Sequence, residues 1–336
     1  MLLHLIILNF INLILKTLKL FFLFYYYMGD NKDLIIDMLN QIVKNRKPET
    51  VEKYVDKYLK AKKAIGDFNN VDKLNEFFND KKPAYKHSYL WSIKTVLDLS
   101  PEKNKKALDA INDMINNNKK TINNYYQEQK KSIKENDNWI SLKELQRFNK
   151  NQRTILSTMS DKFKSKPDSK KLRDYLLTSL YVLDVNNHPP RRVDYNVKLA
   201  NKNTELDSNN NYLVIKNKST KYFVFNQYKT DKTYGTQTFP VSKKLNAVIN
   251  IYLKYNPDNK YLFQNNNGEN ITKSHLQKLI THSFKDTGKT IGVNMLRHIV
   301  ISDTIDTGDK LKEKQDIAEK MGHSVTTQEL YKKFDE

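Results

Sequence analysis

The chain has 336 residues, room for two domains, and 38% of them are apolar, enough for a core in each. Its 58 Lys and Arg against 38 Asp and Glu leave a formal net charge of +20, a balance that favours a polyanionic partner. There is no cysteine, which excludes disulfides, thiolate metal sites and a thiol nucleophile and suits an intracellular protein.

Residues 1–28, MLLHLIILNFINLILKTLKLFFLFYYYM, are mostly apolar and unlike the rest of the chain. A membrane span needs roughly 20 apolar residues in a row, and Lys16 and Lys19 fall inside that window. A signal peptide would need a basic start and a small-residue cleavage site, and neither is present. MGDNKDL, from Met28, has the character of an ordinary soluble N-terminus, so the segment is expected to be an upstream leader, with a membrane segment as the alternative.

Residues 29–118 read as a bundle of short helices. Leu34, Ile35, Met38, Leu39, Ile42 and Val43 share one apolar face; Val51, Tyr54, Val55, Tyr58 and Leu59, after Pro48, share another. Leu90, Ile93, Val96 and Leu97 predict a third helix, and Leu108, Ile111, Met114 and Ile115 a fourth. The polar run after Ile115 contains the expected linker, 119–138, and a second domain opens at Trp139. Ser141 and Glu144 form a capping-box pattern ahead of a helix, and Leu172, Leu176, Leu180 and Leu183 predict another after Pro167.

From Tyr212 the period becomes extended: YLVIKN, KYFVFNQY and TQTFPVS predict three strands, the last two flanking a turn with Lys229, Asp231, Lys232 and Gly235. Helices resume at Ser242 and are expected over 271–284, 292–305 and 310–321, with Gly322 suited to end the last of these. A final helix is expected to hold Tyr331. The fold class is therefore mainly α with a small antiparallel β-sheet.

Three runs carry chemistry: PPRRVDY at 189–195, MLRH at 295–298, and the GHS of 322–324 followed by Tyr331. Cutting a phosphodiester without a metal needs a nucleophile, cations on the phosphoryl oxygens and a proton donor for the leaving oxygen. A tyrosine can attack phosphorus, a planar guanidinium can pair two non-bridging oxygens, a lysine can protonate the departing oxygen, and a histidine can move a proton. Each has a plainer alternative: Arg191 as a salt-bridge partner of Asp194, Arg297 as a partner of Asp303 or Asp306, His323 as a helix-end histidine, Tyr331 as one of 20 tyrosines.

Taken in order, these residues resemble the tyrosine recombinases, the family of phage integrases and Xer-type resolving enzymes. Arg191 stands three residues before Asp194, like the family's first arginine before its acidic neighbour, with Arg192 the off-by-one alternative. Lys229 matches the hairpin lysine, Lys232 being second choice. Leu296, Arg297 and His298 match the core of the second box, Gly322, His323 and Ser324 the Gly-His box, and Tyr331 the nucleophile. Asn294 stands where the family usually has His; it can hydrogen-bond to phosphate but cannot act as a base, which leaves the phenol proton to His323 or water.

The resemblance covers 139–334 and implies a catalytic domain over 139–336, with 29–118 a DNA core-binding domain by position and character. It implies a site-specific recombinase or integrase that cleaves and rejoins double-stranded DNA through a 3′-phosphotyrosine. The catalytic residues would be Arg191, Lys229, Asn294, Arg297, His323 and Tyr331. No cofactor, metal or nucleotide is implied; the protein would self-associate on DNA as a dimer or tetramer and reside with DNA, in a nucleus or at a viral replication site. The Lys- and Asn-rich composition suits a viral or mobile-element genome. The alternatives are a type IB topoisomerase, a DNA-binding protein that has lost catalysis, and a membrane-anchored basic protein if residues 1–28 are retained.

Overall fold

The computed structural model describes residues 31–42, 46, 48–99, 104–304 and 311–333; the 1–28 segment, Val43 and Asp306 lie outside them. The chain divides into two compact units, Met1–Gln127 and Glu128–Glu336.

The first unit is helical. Its elements are α1 (Lys32–Ile42), α2 (Pro48–Ile65), α3 (Val71–Phe78), α4 (Pro83–Leu97) and α5 (Lys105–Gln127). Helix α4 packs against both α2 and α5. The faces predicted from spacing supply the core: Val51, Val55, Tyr58, Leu90, Ile93, Val96 and Ile111 are buried together. Helix α3 was not anticipated; Asn70 caps it by accepting from Lys73 N–H at 3.2 Å, and Leu74 and Phe78 anchor it. Helix α5 runs through the first half of the segment read as a linker, and α6 (Ile133–Asn138) lies in the second half. A full capping box starts α6: Ser132 Oγ accepts from Glu135 N–H, and Glu135 accepts from Ser132 N–H at 2.8 Å.

The second unit surrounds α8 (Ser169–Val182), whose residues from Tyr175 to Val182 are all buried. Helices α7 (Leu142–Met159), α10 (Lys243–Lys254) and α11 (Lys273–Ser283) pack on it. The expected Ser141–Glu144 capping box opens α7.

A four-stranded sheet stands beside these helices in the order β1 (Lys198–Asn201), β2 (Tyr212–Ile215), β3 (Lys221–Phe225), β4 (Gln237–Pro240). Strands β2, β3 and β4 pair antiparallel, but β1 pairs parallel to β2, Lys198 opposite Tyr212. The sheet is therefore mixed, a correction to the all-antiparallel expectation. Strand β1 is short and shows no clean alternation; its pairing comes from distant chain, with Leu199 N–H donating to Lys260 C=O at 2.9 Å on its other side.

The hairpin loop contains the short α9 (Asp231–Tyr234). The C-terminal part holds α12 (Val293–Thr304), α13 (Leu311–Met321) and α14 (Val325–Glu329). Gly322 ends α13 at φ +71°, the left-handed conformation expected of a glycine there. Tyr331 lies just beyond α14 rather than inside it, because the chain tightens: Tyr331 N–H donates to Gln328 C=O at 2.9 Å, a bond spanning three residues rather than four. Among the described residues no helix is long and apolar enough to cross a membrane.

Candidate active site

Helix α13 ends with backbone carbonyls that have no partner inside the helix. Three side chains from distant chain meet them. Gln237 Nε2–H donates to Glu319 C=O at 3.2 Å, Arg191 Nη1–H to Lys320 C=O at 2.7 Å, and Arg297 Nη1–H to Met321 C=O at 3.1 Å. The same Arg297 nitrogen donates to Pro190 C=O at 2.9 Å. The two arginines thus draw the 189–192 loop, helix α12 and the Gly322–His323 turn to one place. Their positive charge also complements the negative end of the helix dipole.

Arg191 lies in a closed bed. It is 3% exposed, with its guanidinium carbon 4.4 Å from the Phe225 ring centroid, 4.9 Å from Tyr228 and 5.5 Å from Phe239. Nε faces Asp194 Oδ2 at 3.4 Å, and Nη1 also donates to Gln237 Oε1 at 2.9 Å. The Asp194 pairing named as the plainer role is therefore present.

The opposite setting surrounds Tyr331. Its half-buried ring stacks on His323 (centroids 5.5 Å apart, planes 14° apart), touches His298 at 4.7 Å, and faces the Arg297 guanidinium at 5.0 Å. Burial alone would raise the phenol pKa. The charges of Arg297 and then Arg192 outweigh it, and the phenol is held below its ordinary value. The arginine that acts on this phenol beside Arg297 is Arg192, the off-by-one alternative, whose backbone is fixed by the Tyr181 hydroxyl donating to Arg192 C=O at 2.8 Å.

Lys229 stands on the hairpin loop between β3 and β4. The charge of Arg192, and then burial, hold its ammonium below the usual lysine range, while Tyr331 pulls the other way. Thr230 ties this loop to the Gly-His turn, donating from Oγ1 to Gly322 C=O at 2.9 Å.

His323 is buried, and that burial, followed by the charge of Arg297, pushes its pKa down to about 4. Its Nδ1 sits 3.1 Å from Ser324 C=O, which can only accept, so the neutral ring carries its proton on Nδ1. The buried Nε2 has no protein partner and presents a lone pair.

Five side chains thus share one electrostatic neighbourhood: Arg192, Lys229, Arg297, His323 and Tyr331. Asn294 is exposed on the first turn of α12, one turn before Arg297, and Lys232 is exposed beyond Lys229. Two further residues carry little signal in the sequence. His298 stands there only as part of the LRH match, and Glu135 falls inside the expected linker; the Ser132–Glu135 spacing of a capping box is the available signal for the latter.

No family model matches the sequence, and no curated protein does. Among solved structures the chain is similar to "Crystal structure of XerA recombinase", with 16% identity and a TM-score of 0.38, over 91% of this chain and 95% of that one. A likeness of that degree is too slight to assign a fold family or a chemistry.

Proposed function

We propose that this protein cleaves and rejoins double-stranded DNA as a tyrosine recombinase does, with Tyr331 as nucleophile. The observation that carries the reading is the setting of the phenol: a half-buried tyrosine ring stacked on His323 with the Arg297 guanidinium 5.0 Å away, where the charges of Arg297 and Arg192 lower the phenol pKa against burial. Tyrosines enclosed in the core tend the other way, as burial raises the phenols of Tyr181 and Tyr195.

In the proposed step the Tyr331 oxygen attacks the scissile phosphorus, a P–O(Tyr) bond forms and the P–O5′ bond breaks. The phenol proton passes to His323 Nε2 or to water. Arg297 and Arg192 neutralise the charge that builds on the non-bridging oxygens. Lys229, an ammonium made more acidic by Arg192, protonates the departing 5′-oxygen. A partner strand's 5′-hydroxyl reverses the step, so the bond energy is conserved. Arg191 supports the site from beneath by holding the end of α13.

An open groove of about 750 Å³ in the second unit supports a polyanionic partner. Lys278, Lys285, Lys289 and His282 line it with Ser, Gln, Thr and Gly, and no carboxylate is among its lining residues.

The test is covalent trapping on nicked duplexes from the protein's own genome. A denaturant-resistant, protease-sensitive complex is expected with the native chain and none with Tyr331→Phe, which still binds. An adduct that persists in Tyr331→Phe would assign the chemistry to another residue, and binding without any adduct would make the protein a DNA-binding protein only.

A further inference from the structure

The segment just after α5 is bound to the chain on both sides of Tyr331. Gln129, itself in the left-handed region at φ +52°, donates from Nε2 to Glu329 C=O at 2.6 Å. Lys333 donates from Nζ back to Lys130 C=O at 3.2 Å and from its backbone N–H to Ser302 Oγ at 2.8 Å. Between these ties lies a third. His298 Nδ1 is 2.7 Å from Tyr331 C=O, and its Nε2 is 3.6 Å from Glu135 Oε1. Residues 329, 331 and 333 are thus each held by the 129–135 segment, directly or through His298.

The chemistry of this third tie is directional. The Tyr331 carbonyl can only accept, so His298 Nδ1 carries a proton. Burial opposes ionisation of Glu135, but hydrogen bonds from the Ser132 N–H and hydroxyl, then the charge of Lys333, keep its carboxyl below the usual range. Burial also lowers His298, against the Tyr331 carbonyl and Glu135, with Lys333 and Arg297 adding to the lowering. A carboxylate fixed by its own capping box therefore orients an imidazole that grips the main chain of the tyrosine.

We propose that Glu135 and His298 are positioning residues that hold the Tyr331 ring against Arg297 and His323, with residues 129–135 acting as a strap. This rests on the reading of Tyr331 as nucleophile for its catalytic consequence, though not for its geometry. Without the strap, the short turn after α14 is free to rotate, and the phenol loses its fixed relation to the guanidiniums.

Two readouts on the full chain test this. The first, without DNA, is titration of the Tyr331 phenol by NMR of ring-labelled tyrosine, assigned with Tyr331→Phe. The second is the single-turnover adduct rate at saturating nicked duplex. His298→Ala and Glu135→Gln should move the phenol back towards about 10. They should also slow adduct formation on the order of 10- to 100-fold with DNA affinity unchanged. His298→Asn, which keeps an N–H for the Tyr331 carbonyl, should recover most of both; a fold damaged merely by loss of the ring would not be rescued. An unmoved phenol and an unchanged rate in His298→Ala would overturn the strap while leaving the nucleophile reading intact. A phenol that moves in a protein whose native form makes no adduct would uphold the strap and sink the nucleophile.

Discussion

Two adjacent arginines face different regions. The bed of Arg191 is a stack of aromatic rings closed by Asp194, Gln237 and a helix-end carbonyl, where the charge is matched and enclosed. The pocket of Tyr331 gathers Arg192, Arg297, Lys229 and two histidines around a phenol; Glu135 reaches it through His298, and Asp194 acts on Arg297 only as the last of its influences. The first arrangement suits stability. The second suits an arriving anion, as the proposed phosphate substrate requires, because positive charge is concentrated around the phenol.

The largest expected effect falls on the pocket. Tyr331→Phe should abolish adduct formation with DNA binding kept, measured by gel retardation beside the trapping assay. Next, Arg192→Ala should slow cleavage on the order of 10²-fold, as loss of a transition-state donor does, with an unchanged melting temperature. Arg191→Ala should do the reverse. It strands the buried Asp194 carboxylate and should cost about 3 kcal/mol in denaturant titration, with a smaller loss of cleavage when assayed fully folded. Equal cleavage losses in both variants, with no loss of stability for Arg191→Ala, would erase the contrast.

Acid should then act on His188 and His323. Burial pushes both His188 and His323 to about 4, so between about 4 and 6.5 the unfolded chain binds more protons than the folded one. Stability should be full above about 6.5 and fall as the pH drops towards 4. His188→Gln keeps an acceptor for the Ser242 N–H, which now donates to His188 Nε2 at 2.9 Å, and should flatten that fall. Smallest of all, Gly322→Ala should cost about 1 kcal/mol, because its left-handed backbone disfavours a Cβ although Arg191 Nη2 and Thr230 Oγ1 leave it 3.5 Å of room.

The same contrast explains what the sequence could tell. Helical faces, the Ser141–Glu144 box and the Gly322 cap are local patterns, and each was readable because its cause lies within a few residues. Which of two neighbouring arginines faces the phenol is not local. Both sit in an irregular loop without period, and their directions are set by Phe225, Gln237 and the end of α13, all distant in sequence. The parallel pairing of β1 and the role of Glu135 were hidden for the same reason, since their partners are Tyr212 and His298. The Arg-x-x-Asp spacing led to Arg191, and the pairing it encodes is present; the electrostatic neighbour of Tyr331 is one residue on.

The most direct measurement is to digest the trapped complex with protease and nuclease and locate the nucleotide-bearing peptide by mass spectrometry. The expected result is a single modified peptide with the added mass on Tyr331 and a free 5′-hydroxyl on the released strand. A modification on any other residue, or a released 5′-phosphate, would contradict the assignment of this pocket as the site of attack.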